Sequence, residues 1–96
     1  MPPSEQEPRT VRVIYTGRVQ GVNFRWTTRE IAANFPITGF VRNLPDGTVE
    51  LVARGTSDAV QEFLNEISSR FRHNILRADE LPFVSGQMLP TFEIRH

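Results

Sequence analysis

Residues 17–25, GRVQGVNFR, combine two glycines with an arginine at a spacing that suits anion binding. Glycine at positions 17 and 21 lets backbone N–H groups of a short loop turn inward. A helix predicted to begin at about Phe24 adds the unpaired N–H groups and positive dipole end of its first turn. Arg25, in that turn, can donate two parallel hydrogen bonds to a phosphate. The stretch predicts a phosphate cradle, although a glycine-softened turn with a surface arginine fits it equally well.

Asn43 is the second candidate for chemistry, because a side-chain amide has an acceptor oxygen and two N–H donors and can hold a water and a ligand oxygen together. It directly precedes Leu-Pro-Asp-Gly at 44–47, a strong turn sequence, so an asparagine that serves only the turn is the alternative. Val19 lies six residues before Arg25, where phosphatases with a loop of similar spacing carry a cysteine nucleophile. If residues 17–25 bind phosphate, a water must therefore attack it.

The other polar residues favour structural roles. The loop spacing is Gly-x-x-x-Gly, without the G-x-G-x-x-G pattern or the Lys-Ser/Thr of nucleotide-binding loops. His73 and His96 are remote from each other in the sequence and from any carboxylate cluster, so no metal site is predicted. Glu62 and Glu66 are spaced i,i+4 on the exposed face of a predicted helix, where solvation is the expected role.

Length and composition restrict the classes of protein to which this chain can belong. Ninety-six residues suit one small domain, and 39% hydrophobic with 23% charged residues is ordinary for a soluble globular chain. Eleven basic residues balance eleven acidic ones, so there is no global field to recruit nucleic acid or an anionic membrane. Cysteine is absent, no leader peptide is evident, and no apolar run reaches the ~18 residues of a membrane span. We expect a cytoplasmic monomer without nucleic-acid or membrane partners.

Hydrophobic periodicity predicts the elements that position the candidate residues. Residues 1–10 are expected to form a disordered lead-in, and residues 11–96 to form the domain. We expect Asn23 and Ser57 to cap the two helices. The predicted order is a strand at 11–16, a helix that Pro36 stops, strands at 37–42 and 48–53, a second helix from Ser57, a strand at 75–81, a loop at 82–90 and a short strand at 91–95.

This β-α-β-β-α-β order with an extra terminal strand is typical of a ferredoxin-like α/β sandwich in the α+β class. Two helices would pack on one face of an antiparallel sheet. A right-handed crossover makes the first two strands parallel, with another strand between them, so their carboxyl ends lie at one edge. We therefore expect the loop at 17–25 and Asn43 to meet at that edge.

Two segments together resemble both signatures of the acylphosphatases: GRVQGVNFR at 17–25 and GFVRNLPDGTVE at 39–50. The likeness continues to FEIR at 92–95 and covers roughly residues 11–96. The resemblance implies a ferredoxin-like enzyme that hydrolyses the carboxyl–phosphate bond of small acylphosphates to a carboxylate and inorganic phosphate. Sulfate would act as an analogue of the product. The resemblance implies neither a metal nor a cofactor.

The resemblance also implies residue roles. Arg25 would bind the phosphate and Asn43 would orient the attacking water. Backbone N–H groups of the loop would complete the phosphate site, namely those of Gln20, Gly21, Val22, Asn23 and Phe24. Asn23 departs from the family pattern, which often has glycine or another small or apolar residue there. Residues 34–37 and 70–74 also depart from it, away from the signatures.

Two other functions are compatible with this fold. One is a non-catalytic module that binds phosphate or carbamoyl phosphate, since acylphosphatase-like domains also occur inside larger carbamoyl-transfer enzymes; the length of 96 residues favours the free-standing enzyme. The other is an RNA-binding or regulatory domain, in which Trp26 and Phe40 would stack on bases. That function requires a basic, aromatic sheet face, and the balanced net charge argues against it.

Overall fold

The computed structural model of the chain describes residues 8–83 and 90–96. The predicted order of elements is confirmed, and most of the loop predicted at 82–90 lies outside the described residues, as do residues 1–7. The elements are β1 (Pro8–Gly17), α1 (Phe24–Ala32), β2 (Thr38–Asn43), β3 (Val49–Thr56), α2 (Ser57–Arg70), β4 (Ile75–Leu81) and β5 (Phe92–Arg95).

The strands form one sheet in the order β4-β1-β3-β2-β5. Because β3 is antiparallel to both β1 and β2, these two strands run parallel on either side of it, as predicted. The sheet is not antiparallel throughout, however, since β5 pairs with β2 in parallel, with Gly39 opposite Phe92. Strand β5 starts at the end of the sheet where β2 starts. The carboxyl ends of β1, β2 and β5 therefore share one edge.

The core lies between the sheet and the two helices, which pack on the same face of it. Alternate residues of β1 are buried there, namely Val11, Val13 and Tyr15. Buried side chains of α1 and α2 recur at helical spacing, as amphipathic helices require. Tyr15 packs against Phe24 with ring centroids 5.2 Å apart, so the start of α1 is anchored directly on β1.

Three elements begin or end at residues other than those predicted. Strand β1 begins at Pro8, because residues 8–10 pair with residues 54–56 of β3; the predicted lead-in at 1–10 therefore extended three residues too far. The same pairing carries β3 on to Thr56, beyond the predicted end at residue 53. Helix α1 ends at Ala32, four residues before Pro36, so the proline is not the residue that stops it.

Both predicted helix caps were wrong in detail. Asn23 occupies the position before α1, but its φ of 61° is left-handed and its side chain makes no capping hydrogen bond. A side-chain cap normally needs an extended backbone. Thr56 has that conformation, and its Oγ1 accepts a hydrogen bond from the Ala59 N–H at 3.2 Å. Thr56 therefore caps α2, and Ser57 is the first residue of the helix.

Glu50 is a buried carboxylate on the sheet face that the helices leave open, where it is only 4% exposed. It accepts a hydrogen bond from Arg12 Nε at 2.6 Å and another from Arg42 Nε. Burial alone raises the pKa of Glu50, but the hydrogen bonds and charges of the two arginines outweigh it and hold the pKa below its ordinary value. The three side chains tie β1, β2 and β3 together.

Glu50→Gln is expected to lower the free energy of unfolding at neutral pH by about 1–2 kcal/mol, since it removes two charge-assisted hydrogen bonds whose arginines are partly exposed. A lowered pKa contributes stability above the unfolded-state value, and the contribution is lost as the pH falls through the folded-state pKa. The difference between wild type and variant should therefore shrink on acidification. Urea unfolding over a pH series measures it.

Asp79→Asn is the matched control, because the Arg77–Asp79 pair at 2.7 Å is solvent-exposed. Its effect should stay within about 0.5 kcal/mol at every pH. Equal destabilisation by the two substitutions, or a Glu50→Gln effect that is constant with pH, would contradict the role given to Glu50.

Candidate active site

The loop after β1 uses its two glycines for different reasons. Gly17 has φ +136°, and a β-carbon there would lie 2.2 Å from the carbonyl oxygen of Asn74. The neighbouring Arg18 N–H donates to that same oxygen at 2.9 Å. Glycine is thus required at position 17 because the backbone before β4 lies too close to leave room for a side chain. Gly21 has φ +75° with open space around it, so it supplies the left-handed backbone that turns the loop.

A second left-handed residue, Asn23, leads the loop into α1. The first backbone hydrogen bond of the helix runs from the Thr27 N–H to the Asn23 carbonyl at 2.9 Å. An α-helix leaves the N–H groups before this bond without an intrahelical acceptor, here those of residues 24–26. These donors and the positive end of the helix dipole are the features that attract an oxyanion.

Gln20 fastens the loop to the β2–β3 turn. Its side-chain Nε2 donates to the carbonyl oxygens of Leu44 and Thr48, each at 2.8 Å. The turn itself is closed by the Leu44 N–H, which donates to the Thr48 carbonyl at 2.9 Å. The side chain of Gln20 therefore holds the loop next to the residue at the end of β2, Asn43.

A cleft with a volume of about 240 Å³ opens at the shared edge of β1, β2 and β5. Of the predicted site residues, it is lined by Gly21, Asn23, Phe24, Arg25 and Asn43. Gln20 and Val22 do not line it; the contribution of their backbone N–H groups stays a prediction. Two segments separated by almost twenty residues thus meet in one cleft. The remaining lining residues are Val19, Trp26, Ile94 and His96.

Arg25 is half-buried and is oriented by the end of β5. Its Nη1 donates to the backbone carbonyl of Arg95 at 3.1 Å and lies 3.3 Å from His96 Nδ1. Among residues 8–83 and 90–96, nothing accepts a hydrogen bond from its Nε or Nη2. The guanidinium is therefore held on one side and keeps donors for a ligand on the other.

Asn43 has a buried side-chain oxygen, Oδ1, that has no hydrogen-bond partner within the described residues. A buried acceptor without a donor costs free energy, about 1–3 kcal/mol, which a bound water or ligand would recover. Val19, at the position of the cysteine in other phosphate loops, is 1% exposed and apolar. The cleft is thus lined by a residue whose amide oxygen has no partner among the described residues, and position 19 carries no side chain that could attack.

Strand β5 contributes to the cleft in a way that the sequence pattern did not predict. His96 was considered isolated, yet it lies beside Arg25, and Ile94 and the Arg95 carbonyl also reach the site. A signal existed, because a last strand parallel to β2 must end at the same edge, but strand direction was not assigned to it. In the described ranges there is no group of three His, Cys, Asp or Glu side chains that could hold a metal. None of the described helices is long and apolar enough to cross a membrane.

Fold and cleft together define a small ferredoxin-like α+β sandwich with a cleft at the edge of its sheet, lined by an arginine and a helix N-terminus. The family model described as Acylphosphatase matches residues 11–93, and the chain belongs to the acylphosphatase family. It is 49% identical to an acylphosphatase of Methanospirillum hungatei over 61 residues, which are 64% of this chain and 67% of that relative. The alignment thus spans about two thirds of the relative's length.

Solved structures agree with this assignment. An acylphosphatase from Coxiella burnetii superposes with a TM-score of 0.76 at 28% identity, over 92% of this chain and 93% of that one. The acylphosphatase from Bacillus subtilis superposes with a TM-score of 0.71 at 29% identity, over 91% of this chain and 98% of that one. The predicted ferredoxin-like fold is confirmed, and so is the interpretation of the chain as an acylphosphatase.

Substitutions at Asn23 test whether its backbone or its side chain matters. Asn23→Gly should leave stability within about 0.5 kcal/mol, whereas Asn23→Ala should cost about 1 kcal/mol because a β-carbon is strained at φ 61°. Inorganic phosphate should bind both variants as it binds the wild type, since the N–H group is retained. Urea unfolding and calorimetric phosphate titration measure the two effects.

The opposite pattern would overturn this view of Asn23. If both variants lose phosphate affinity equally while Asn23→Ala remains as stable as Asn23→Gly, the amide side chain contacts the ligand and the backbone conformation is unimportant.

Proposed function

We propose that this chain hydrolyses acylphosphates by in-line attack of a water held by Asn43 on a phosphate bound by Arg25 and the loop at 20–24. The observation that carries the proposal is that one cleft brings together a helix N-terminus, an arginine with unused donors and a buried amide oxygen with no partner. The acylphosphatase relatives support the reaction class.

Phosphate binding would use two kinds of donor. The N–H groups at the start of α1 and in the loop face one part of the phosphate, and the free side of the Arg25 guanidinium donates to its other oxygens. Phosphoryl transfer asks the protein mainly for positioning and for stabilisation of charge on the equatorial oxygens. The Arg95 carbonyl keeps the guanidinium in place, so little reorientation is needed when the substrate arrives.

The attacking water would donate an O–H to Asn43 Oδ1, which satisfies the buried acceptor. Its oxygen forms a bond to phosphorus while the bond from phosphorus to the acyl oxygen breaks. The carboxylate leaves with the electron pair. One proton of the water stays on the attacking oxygen, the other passes to a second phosphate oxygen, and the product is H2PO4⁻. Because a carboxylate is a good leaving group, no general acid is needed, and among the described residues no carboxylic side chain lines the cleft.

We propose the following substrate, cofactor requirement, location and partners. The substrate is a small-molecule acylphosphate, inorganic phosphate is the product, and sulfate binds as its analogue. The donors of the loop and of Arg25 supply the charge stabilisation, so we propose hydrolysis without a metal or cofactor. We also propose that the protein acts as a cytoplasmic monomer. Its net charge of zero gives no general field that would attract nucleic acid or an anionic membrane, so we propose neither as a partner.

The test is hydrolysis of benzoyl phosphate with and without EDTA by the wild type, Arg25→Gln and Asn43→Ala. The wild type should turn over equally well with EDTA. Arg25→Gln should lose about 10²–10³-fold in kcat/KM and bind inorganic phosphate more weakly, as expected when a charge-stabilising donor is removed. Asn43→Ala should lose about 10²-fold or more in kcat with KM nearly unchanged, because it misplaces the water.

Arg29→Gln is the matched control, since Arg29 is an exposed arginine of α1 that does not line the cleft. It should behave as the wild type. Full activity of Asn43→Ala would contradict the proposed role of Asn43 in holding the water. A wild type that binds phosphate but does not turn over would favour the non-catalytic phosphate-binding module, and loss of activity in EDTA would contradict the metal-independent reaction.

A further inference from the structure

Trp26 is the only exposed aromatic side chain in residues 8–83 and 90–96, and it is 54% exposed. The other described aromatic residues are buried or half-buried. Trp26 also lines the cleft, directly after Arg25 in the first turn of α1. An indole left in water forgoes the free energy of its burial, so its position at a ligand cleft calls for a functional explanation.

The exposure of Trp26 is not part of a general apolar surface. In the part of the chain that the structure describes, the two other exposed large apolar side chains are Leu76 and Leu81, and both belong to β4. Strand β4 is at one end of the sheet order, whereas β2 and β5, which border the cleft, are at the other end. The residues next to Trp26 on the exposed side of α1 include the charged Arg29 and Glu30, so no apolar patch extends from it.

The geometry points to Trp26 as a specificity-determining residue that contacts the acyl group of the substrate. We infer that it makes the enzyme prefer acylphosphates with an aromatic acyl group over those with a short aliphatic one. This inference rests on the proposed acylphosphate hydrolysis and names the substrate class of the same site. The established family and the proposed mechanism concern the phosphate and the water, and they leave the acyl side unassigned.

The division of the cleft carries the inference. The phosphate oxygens face the loop, the helix N-terminus and Arg25, so the acyl group must extend away from these donors toward the mouth. At the mouth, the apolar surface is offered by the exposed indole of Trp26 and by the half-buried Ile94. A flat aromatic ring can stack on the indole and remove its face from water, which an acetyl group does much less. The contact therefore discriminates between acyl groups and not between phosphates.

The chain offers a direct probe, because Trp26 is its single tryptophan. Benzoylphosphonate and acetylphosphonate are non-hydrolysable analogues that share the phosphorus end and differ in the acyl group. Binding of benzoylphosphonate should change the tryptophan emission, after correction for its absorbance, whereas acetylphosphonate should change it little. Calorimetric affinities of the same two compounds, and kcat/KM for benzoyl and acetyl phosphate, complete the measurement.

Trp26→Ala should reduce the benzoyl-over-acetyl ratio about tenfold, both in analogue affinity and in kcat/KM, as expected for loss of an aromatic contact with its buried area. Its affinity for inorganic phosphate should change less than about twofold. Trp26→Phe should retain most of the ratio, because a phenyl ring can still stack. Leu76→Ala is the control, since it removes an exposed apolar side chain away from the cleft and should leave the ratio unchanged.

The inference is overturned if Trp26→Ala leaves the benzoyl-over-acetyl ratio unchanged, whether or not both values of kcat/KM fall. So does a wild type that binds benzoylphosphonate no more tightly than acetylphosphonate. A failure of the proposed reaction is distinguishable: if the wild type turns over neither substrate but keeps the Trp26-dependent preference in analogue binding, the acyl contact stands and the catalytic proposal falls.

Discussion

The parallel alignment of β1, β2 and β5 is the constraint on which the rest of the structure depends. Because these three strands end at one edge of the sheet, a loop, an asparagine and a strand terminus that are far apart in sequence meet there. The core supports this edge, since Phe24 at the start of α1 packs on Tyr15 of β1 and on Phe71 after α2, with centroids 5.2 and 4.5 Å apart. The cleft is thus anchored on rigid elements, as positioning chemistry requires.

A chain without net charge attracts an anion by local arrangement. The helix N-terminus contributes partial positive charge, and Arg25 is turned toward the cleft by the Arg95 carbonyl. On the open sheet face, by contrast, Arg12 and Arg42 both form ion pairs with the buried carboxylate of Glu50. The free donors of Arg25 therefore belong to the proposed phosphate site, whereas two arginines of the open sheet face have a carboxylate between them.

Most of the fold was predictable because its signals are local. The alternation of Val11, Val13 and Tyr15 and the stripe of α2 follow directly from burial on one side. Contacts that depend on pairing between distant segments were harder to foresee. Asn23 was expected to cap α1 but is left-handed instead, and His96 could be placed beside Arg25 only once β5 was known to run parallel to β2. Likewise, the side chain of Gln20 ties the loop to the β2–β3 turn, a contact between distant segments that the sequence did not predict.

The cleft at this edge is the proposed phosphate site, and an NMR titration with inorganic phosphate is the direct test of it. The account predicts that the backbone amide signals of residues 21–25 and the side-chain amide of Asn43 shift together along one saturable binding curve. Signals of Arg12 and Arg42 on the open sheet face should stay in place. Shifts centred on that face, or saturable binding that leaves residues 21–25 unperturbed, would contradict the account.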